Sequence, residues 1–177
     1  MKRASLTLLI LIFTALSSLT GANIDSLISL SVKFRQSDRS LSHHYANEAY
    51  HLALQSGKPE DISLVCNEMG VLYYQMGEYL TAVSWYKKAL ALDKKAKNRK
   101  DEAMRLNNIG QAYSAMGNFS LALDYLSEAL MIDREFNDSA RIATRLNNIG
   151  IVYYKFEQFQ KALDFFREAW KIDSLRK

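Results

Sequence analysis

The chain has 177 residues, 49% of them hydrophobic, with one cysteine and a formal net charge of +4. That length holds one domain or a short array with a real core. The single cysteine excludes an intrachain disulfide framework, and the charge is too mild to mark a nucleic-acid binder.

Residues 1–22 differ in kind from the rest. Met1-Lys2-Arg3 is basic, an apolar run extends from Leu6 to Leu16, and Ser17, Ser18, Thr20, Gly21 and Ala22 follow. This is the order of a secretory signal peptide, with cleavage expected after Ala22. The run is shorter than the roughly 20 apolar residues of a membrane span. No cysteine follows it, which argues against a lipoprotein anchor. Without Lys2 and Arg3, 23 basic residues fall to 21 against 19 acidic ones, a balance of about +2. The expectation is an exported protein, periplasmic or secreted, with no membrane span after cleavage.

Residues 23–62 carry a weak form of a pattern that becomes clear downstream. Glu48-Ala49 matches Lys88-Ala89, Glu128-Ala129 and Glu168-Ala169, but the columns that later hold Gly and Tyr hold Leu30 and Lys33. This segment is expected to be a degenerate N-terminal capping repeat, since terminal repeats are atypical where one face meets water.

Three full copies follow, expected at 63–102, 103–142 and 143–177. Leu106-Asn107-Asn108-Ile109-Gly110 recurs as Leu146-Asn147-Asn148-Ile149-Gly150, and Cys66-Asn67-Glu68-Met69-Gly70 is the earlier copy. Tyr73, Tyr113 and Tyr153 continue the register. So do Ala82, Ala122 and Ala162, then Tyr86, Leu126 and Phe166, then Ala89, Ala129 and Ala169. Self-similarity at a fixed period of this size marks a solenoid of stacked units. Each copy reads as two helices, because 66, 69, 70 and 73 recur at the spacing of one helical face and 82, 86, 89 and 90 do likewise. Gly77 and Gly117 fall between the helices, as at a helix end; the third copy has Glu157 there. The glycines at 70, 110 and 150 predict a contact too close for a side chain, with Ala82, Ala122 and Ala162 as the expected partners. Pro59, Arg99 and Ser139 align at the expected helix starts, after Lys58, Asn98 and Asp138.

These residues resemble the tetratricopeptide repeat. In that family a large residue, a Leu, a Gly and a Tyr mark the first helix, and Ala, an aromatic residue and Ala mark the second. Leu106, Ile109, Gly110, Tyr113, Ala122, Leu126 and Ala129 fill those roles, as do their equivalents. The resemblance covers 63–173. It departs from the usual pattern in its longer period of 40 and in lacking the proline near the repeat end. Similar long variants with an Asn-Asn pair occur in kinesin light chains and bacterial repeat proteins, and the Leu-Asn-Asn-Ile-Gly pattern is similar to exported N-terminal segments of Bacteroidetes sensor histidine kinases. The resemblance implies an all-α, right-handed superhelical solenoid of antiparallel helix pairs that acts as a non-enzymatic scaffold.

No catalytic constellation and no cofactor motif emerges. Cys66 stands in the apolar column of Leu106 and Leu146, the place of a buried structural thiol. His44, Glu48 and His51 share one helical face, but a solvated face is the expected reading and no metal site is assigned. The basic cluster from Lys94 to Lys100 lies at a repeat junction and reads as a solvated helix end.

The candidate site lies on the arc of each first helix opposite Leu106, Ile109, Gly110 and Tyr113. In the family that arc lines the concave groove. It gives Asn67 and Tyr74 in the first copy, Asn107, Asn108 and Gln111 in the second, and Asn147, Asn148, Tyr154 and Lys155 in the third. An asparagine amide both donates and accepts, so a row of them suits the backbone of an extended protein or peptide segment. The competing reading is that one asparagine of each pair bonds to the next repeat. Arg105 and Arg145 fall off the arc and have no assigned role. The function expected is protein binding through this groove. The alternative is the sensory segment of a periplasmic histidine kinase or a similar signalling protein. The final helix carries Phe159, Leu163, Phe166 and Trp170, and this apolar face predicts self-association or coverage by further sequence.

Overall fold

The structure is a computed structural model that describes residues 23–175. The expected signal segment lies outside the described residues. Eight helices follow in order: α1 (Ile24–Phe34), α2 (Arg39–Ser56), α3 (Pro59–Gln75), α4 (Tyr79–Ala96), α5 (Arg99–Ala115), α6 (Phe119–Glu135), α7 (Ser139–Lys155) and α8 (Phe159–Ser174). Among the described residues there is no strand. Among these residues no helix is long and apolar enough to cross a membrane, and no three of His, Cys, Asp and Glu gather as metal ligands.

Two compact units divide at Ser56 and Gly57. The first is the pair α1–α2. Asn23 caps α1 by accepting from the Ser26 amide at 2.8 Å. The close approach of the two helices is made by Ser31 and Ser42, both buried, with the Ser42 hydroxyl donating to the Ser31 carbonyl at 2.8 Å. Leu30 occupies the glycine column, so in this pair the small residue has moved one position along the helix.

The second unit is a solenoid of three antiparallel pairs, α3–α4, α5–α6 and α7–α8. Each second helix packs on the next first helix, and α5 also touches α7. The pairs begin at Pro59, Arg99 and Ser139, the helix starts expected from the sequence. Asn98 and Asp138 accept from the amides of Asp101 and Arg141. Lys58 makes no side-chain cap bond, and Pro59 opens its helix instead.

Every turn inside this unit uses one left-handed residue. Gly77, Gly117 and Glu157 hold it within repeats; Lys97 and Asn137 hold it between them. The following amide then reaches back to close the helix. Glu78 donates to the Tyr73 carbonyl, Asn118 to Tyr113 and Gln158 to Tyr153, each at 2.9 Å. This is the hydrogen bond of a Schellman cap, which satisfies a carbonyl that the helix leaves open. Glu157 keeps the turn despite its Cβ, at a cost of about 1–2 kcal/mol.

The glycine column is a helix contact, as expected, but its partners differ. A Cβ at Gly70 would overlap the Tyr86 ring; at Gly150 it would lie 2.6 Å from the Phe166 ring. At Gly110 it would lie 2.7 Å from Leu126 Cγ and 3.1 Å from the Ala122 carbonyl oxygen. The nearest neighbours of the glycines are therefore the large residues of the second helix, joined at Gly110 by the Ala122 backbone oxygen. Leu106, Ile109, Ala112, Tyr86 and Ile132 form one part of the core, and Leu126, Leu146, Ile149 and Val152 another.

Candidate functional site

The first helices α3, α5 and α7 lie side by side, and a chain of amide hydrogen bonds joins them. Asn148 Nδ2 donates to Asn107 Oδ1 at 2.7 Å. Asn107 Nδ2 donates to Asn108 Oδ1 at 3.3 Å. Asn108 Nδ2 donates to Asn67 Oδ1 at 3.0 Å, and Asn67 Nδ2 donates to Glu68 Oε1 at 3.2 Å. Asn67 and Asn107 are buried, and Asn108 and Asn148 are half-buried. These amides therefore stitch neighbouring repeats. A buried amide left without partners would be costly, so the ladder fixes the register of the three helices while lying across their shared surface.

The ladder divides this surface along α5. On the side toward the helix C-termini, Tyr74, Gln111, Ser114, Asn148, Ile151 and Lys155 line a cavity of about 190 Å³, closed by Leu126 and Val152. Tyr74 packs against Tyr79 with ring centroids 5.3 Å apart, and burial raises its phenol pKa above the usual value. The cavity combines an apolar floor with a phenol, an amide, a hydroxyl and an ammonium, the mixture that orients a bound segment.

Four of the residues expected from sequence thus meet at one cavity: Tyr74, Gln111, Asn148 and Lys155. Asn67, Asn107 and Asn108 belong to the ladder. Asn147 is exposed and takes no part in it. Tyr154 is exposed too, and turns edge-on to Phe159 with centroids 5.6 Å apart. Leu126 was not expected there, because its column read as core, and Val152 had no assigned role.

Arg105 and Arg145, unassigned from sequence, form buried ion pairs between repeats. Arg105 Nε lies 3.0 Å from Asp93 Oδ2, and Arg145 Nε lies 2.9 Å from Asp133 Oδ2. Ser63 also donates to Asp93 at 2.6 Å. Burial raises both aspartate pKa values and lowers that of Arg145; the opposite charge of each partner works against the shift.

Tetratricopeptide repeat models match residues 61–135 and 142–172. The chain belongs to the tetratricopeptide repeat family. No curated protein matches it significantly by sequence. Solved structures share the fold at low identity. BtubC (BKLC) from P. vanneervenii superposes with a TM-score of 0.77 at 19% identity, over 86% of this chain and 64% of that one. A putative kinesin light chain repeat protein from Podosopora anserina gives 0.75 at 15% identity, over 92% of this chain and 84% of that one. A Rap protein complexed with competence and sporulation factor gives 0.71 at 18% identity, over 80% of this chain and 40% of that one. The chain thus spans less than two thirds of BtubC and of the Rap protein.

Proposed function

We propose that this tetratricopeptide repeat chain is an exported, non-enzymatic scaffold that binds an extended protein segment across α3, α5 and α7. The observation that carries this reading is the cavity beside the ladder, where Gln111, Ser114, Lys155 and Tyr74 surround an apolar floor. The ladder makes that surface rigid, which lowers the entropy cost of binding. The Rap protein of similar fold, crystallised with competence and sporulation factor, supports binding by such arrays in general.

Panning random peptides on the chain tests the reading. Selected peptides are expected to bind at least ten-fold more weakly to a Gln111→Ala/Lys155→Glu variant whose melting curve is unchanged. Peptides that bind both proteins equally would place the site elsewhere.

Export rests on the order of charges and apolar residues in 1–22. Asn23 is itself the N-cap of α1, so removal of residues up to Ala22 leaves the first helix with its cap. The mass of the native protein is expected to match a chain beginning at Asn23; a mass that includes Met1 to Ala22 would refute cleavage. The alternative, a sensory segment of a signalling protein, draws support from the apolar outer face of α8, where Phe159, Leu163 and Trp170 are exposed.

A further inference from the structure

The cavity beside the ladder opens at the middle repeat, and the repeat columns give the reason. Tyr74, Ser114 and Tyr154 share one column, and Tyr86, Leu126 and Phe166 share another. The first and third repeats thus carry a ring in both columns, and the second carries one in neither. In the first repeat Tyr74 packs against a core that contains Tyr86 and Ala112. Val152 stands in the column of Ala112, and with Leu126 it forms the floor of the cavity. The cavity of about 190 Å³ therefore lies at the place in the second junction that rings fill in the first.

Two polar groups on the cavity wall lack partners. Ser114 is only 7% exposed, and its hydroxyl has no hydrogen-bond partner among the described residues. It borders the cavity, where an incoming group can reach it. A buried hydroxyl in that condition calls for a partner. The Lys155 ammonium makes no ion pair and lies over no ring among the described residues. Elsewhere in the array lysines do lie over rings: the Lys161 ammonium is 5.3 Å from the Tyr153 centroid, and that of Lys88 is 4.1 Å from Trp85.

We propose that the segment bound across α3, α5 and α7 inserts a tyrosine side chain into this cavity. The inference rests on the groove reading and deepens it by naming the residue that the partner supplies. The ring lies against Leu126, Ile151 and Val152 and beside Tyr74, and replaces the aromatic contact that the middle repeat lacks. The phenol, which both donates and accepts, meets Ser114 and Gln111. Lys155 covers the ring face. An acidic side chain would satisfy Lys155 but leave the apolar floor in water. An aliphatic one would cover the floor but leave Ser114 without a partner.

The test is a methyl-resonance titration of the chain with N-acetyl-tyrosinamide, with N-acetyl-leucinamide and the α-amide of N-acetyl-glutamic acid as controls. The tyrosine probe is expected to shift the Ile151 and Val152 methyls saturably, and to bind roughly five-fold more tightly than either control, the worth of an aromatic contact beyond its area. Ser114→Tyr, which restores the ring of the neighbouring repeats, should abolish the shifts at an equal or higher melting temperature. Ser114→Ala, which leaves the cavity open, should keep them. Ile151 is 44% exposed, so Ile151→Trp fills the cavity from its outer wall without entering the core, and it should abolish the Val152 shift. A control that binds as tightly as tyrosine, binding unaltered in both filled variants, or no shift at Val152 would overturn the proposal. The two readings fail separately. Selected peptides that need Gln111 and Lys155 but contain no ring whose loss weakens them would remove the tyrosine seat and keep the groove. A tyrosine probe that binds as expected, beside peptides indifferent to Gln111 and Lys155, would keep a ring-binding cavity and remove the groove reading.

Discussion

At Gly110 a single hydrogen separates α5 from Leu126 and from the Ala122 carbonyl. The backbone oxygen cannot move aside as a flexible side chain could, so Gly110→Leu is expected to cost about 1–3 kcal/mol or more from overpacking. Gly117→Leu should cost less, because open space surrounds it and only its left-handed conformation is strained. Thermal melts compare them, and equal losses would contradict this account of the glycine column. That column was legible in the sequence because a mid-helix glycine recurring in register demands a reason. Its partner was not, since the sequence does not say which residue of the second helix comes nearest. Cys66 offers a test by pH. It is 1% exposed, and burial pushes its thiol up to about 11 from 9.0. Between those values the folded chain keeps a proton that the unfolded chain has lost, so stability falls as pH rises. The contribution is complete below pH 9 and lost as pH passes about 11; at about 1.4 kcal/mol per unit it amounts to about 2–3 kcal/mol. Urea unfolding of the native chain should therefore weaken over this range more steeply than that of Cys66→Ala. Parallel curves would mean that water reaches the thiol.

Between elements, the repeated units are held by polar contacts that the apolar columns do not reveal. Asp93 and Arg105 stand at the same spacing as Asp133 and Arg145, and both pairs tie a second helix to the first helix of the next repeat. The recurrence of both columns was a readable signal. A single-helix projection missed it, because the partners lie on different helices. The asparagines show the same limit. Whether an amide faces a ligand or a neighbour depends on how adjacent helices are rotated, and that put Asn67 and Asn107 in the seam. The ion pairs carry a definite expectation. Asp133→Ala leaves the Arg145 charge buried without its partner, a loss of about 3–5 kcal/mol. Replacing both, as Asp133→Leu with Arg145→Met, should recover most of it, since a packed apolar pair avoids desolvation. Chemical denaturation measures both. A double variant as unstable as the single one would show that the residues contribute by shape rather than by charge.

Across the whole array, translation of one repeat onto the next predicts what each surface is for. Leu90 on α4 and Leu130 on α6 are 8% and 6% exposed, each in the pair of faces that receives the following first helix. Trp170 holds the same column on α8 and is 72% exposed; Leu163, in the column of Val83 and Leu123, is also exposed. An apolar face that is core at two positions of the array and open at the third predicts an association surface. A chain of residues 23–177 is therefore expected to self-associate through α8, with an apparent mass that rises with concentration in light scattering. Trp170→Glu should return it to the monomer mass and leave the melting temperature nearly unchanged, because Trp170 contributes little to the core of its own repeat. The two tryptophans separate the explanations further. In a Trp85→Phe background the emission of Trp170 should shift to shorter wavelength as the chain associates. A monomer at every concentration, with Trp170 emitting as in water throughout, would show that the repeat's apolar column tolerates exposure at this end. The outer face of α8 would then owe its composition to repetition of the unit and not to a partner.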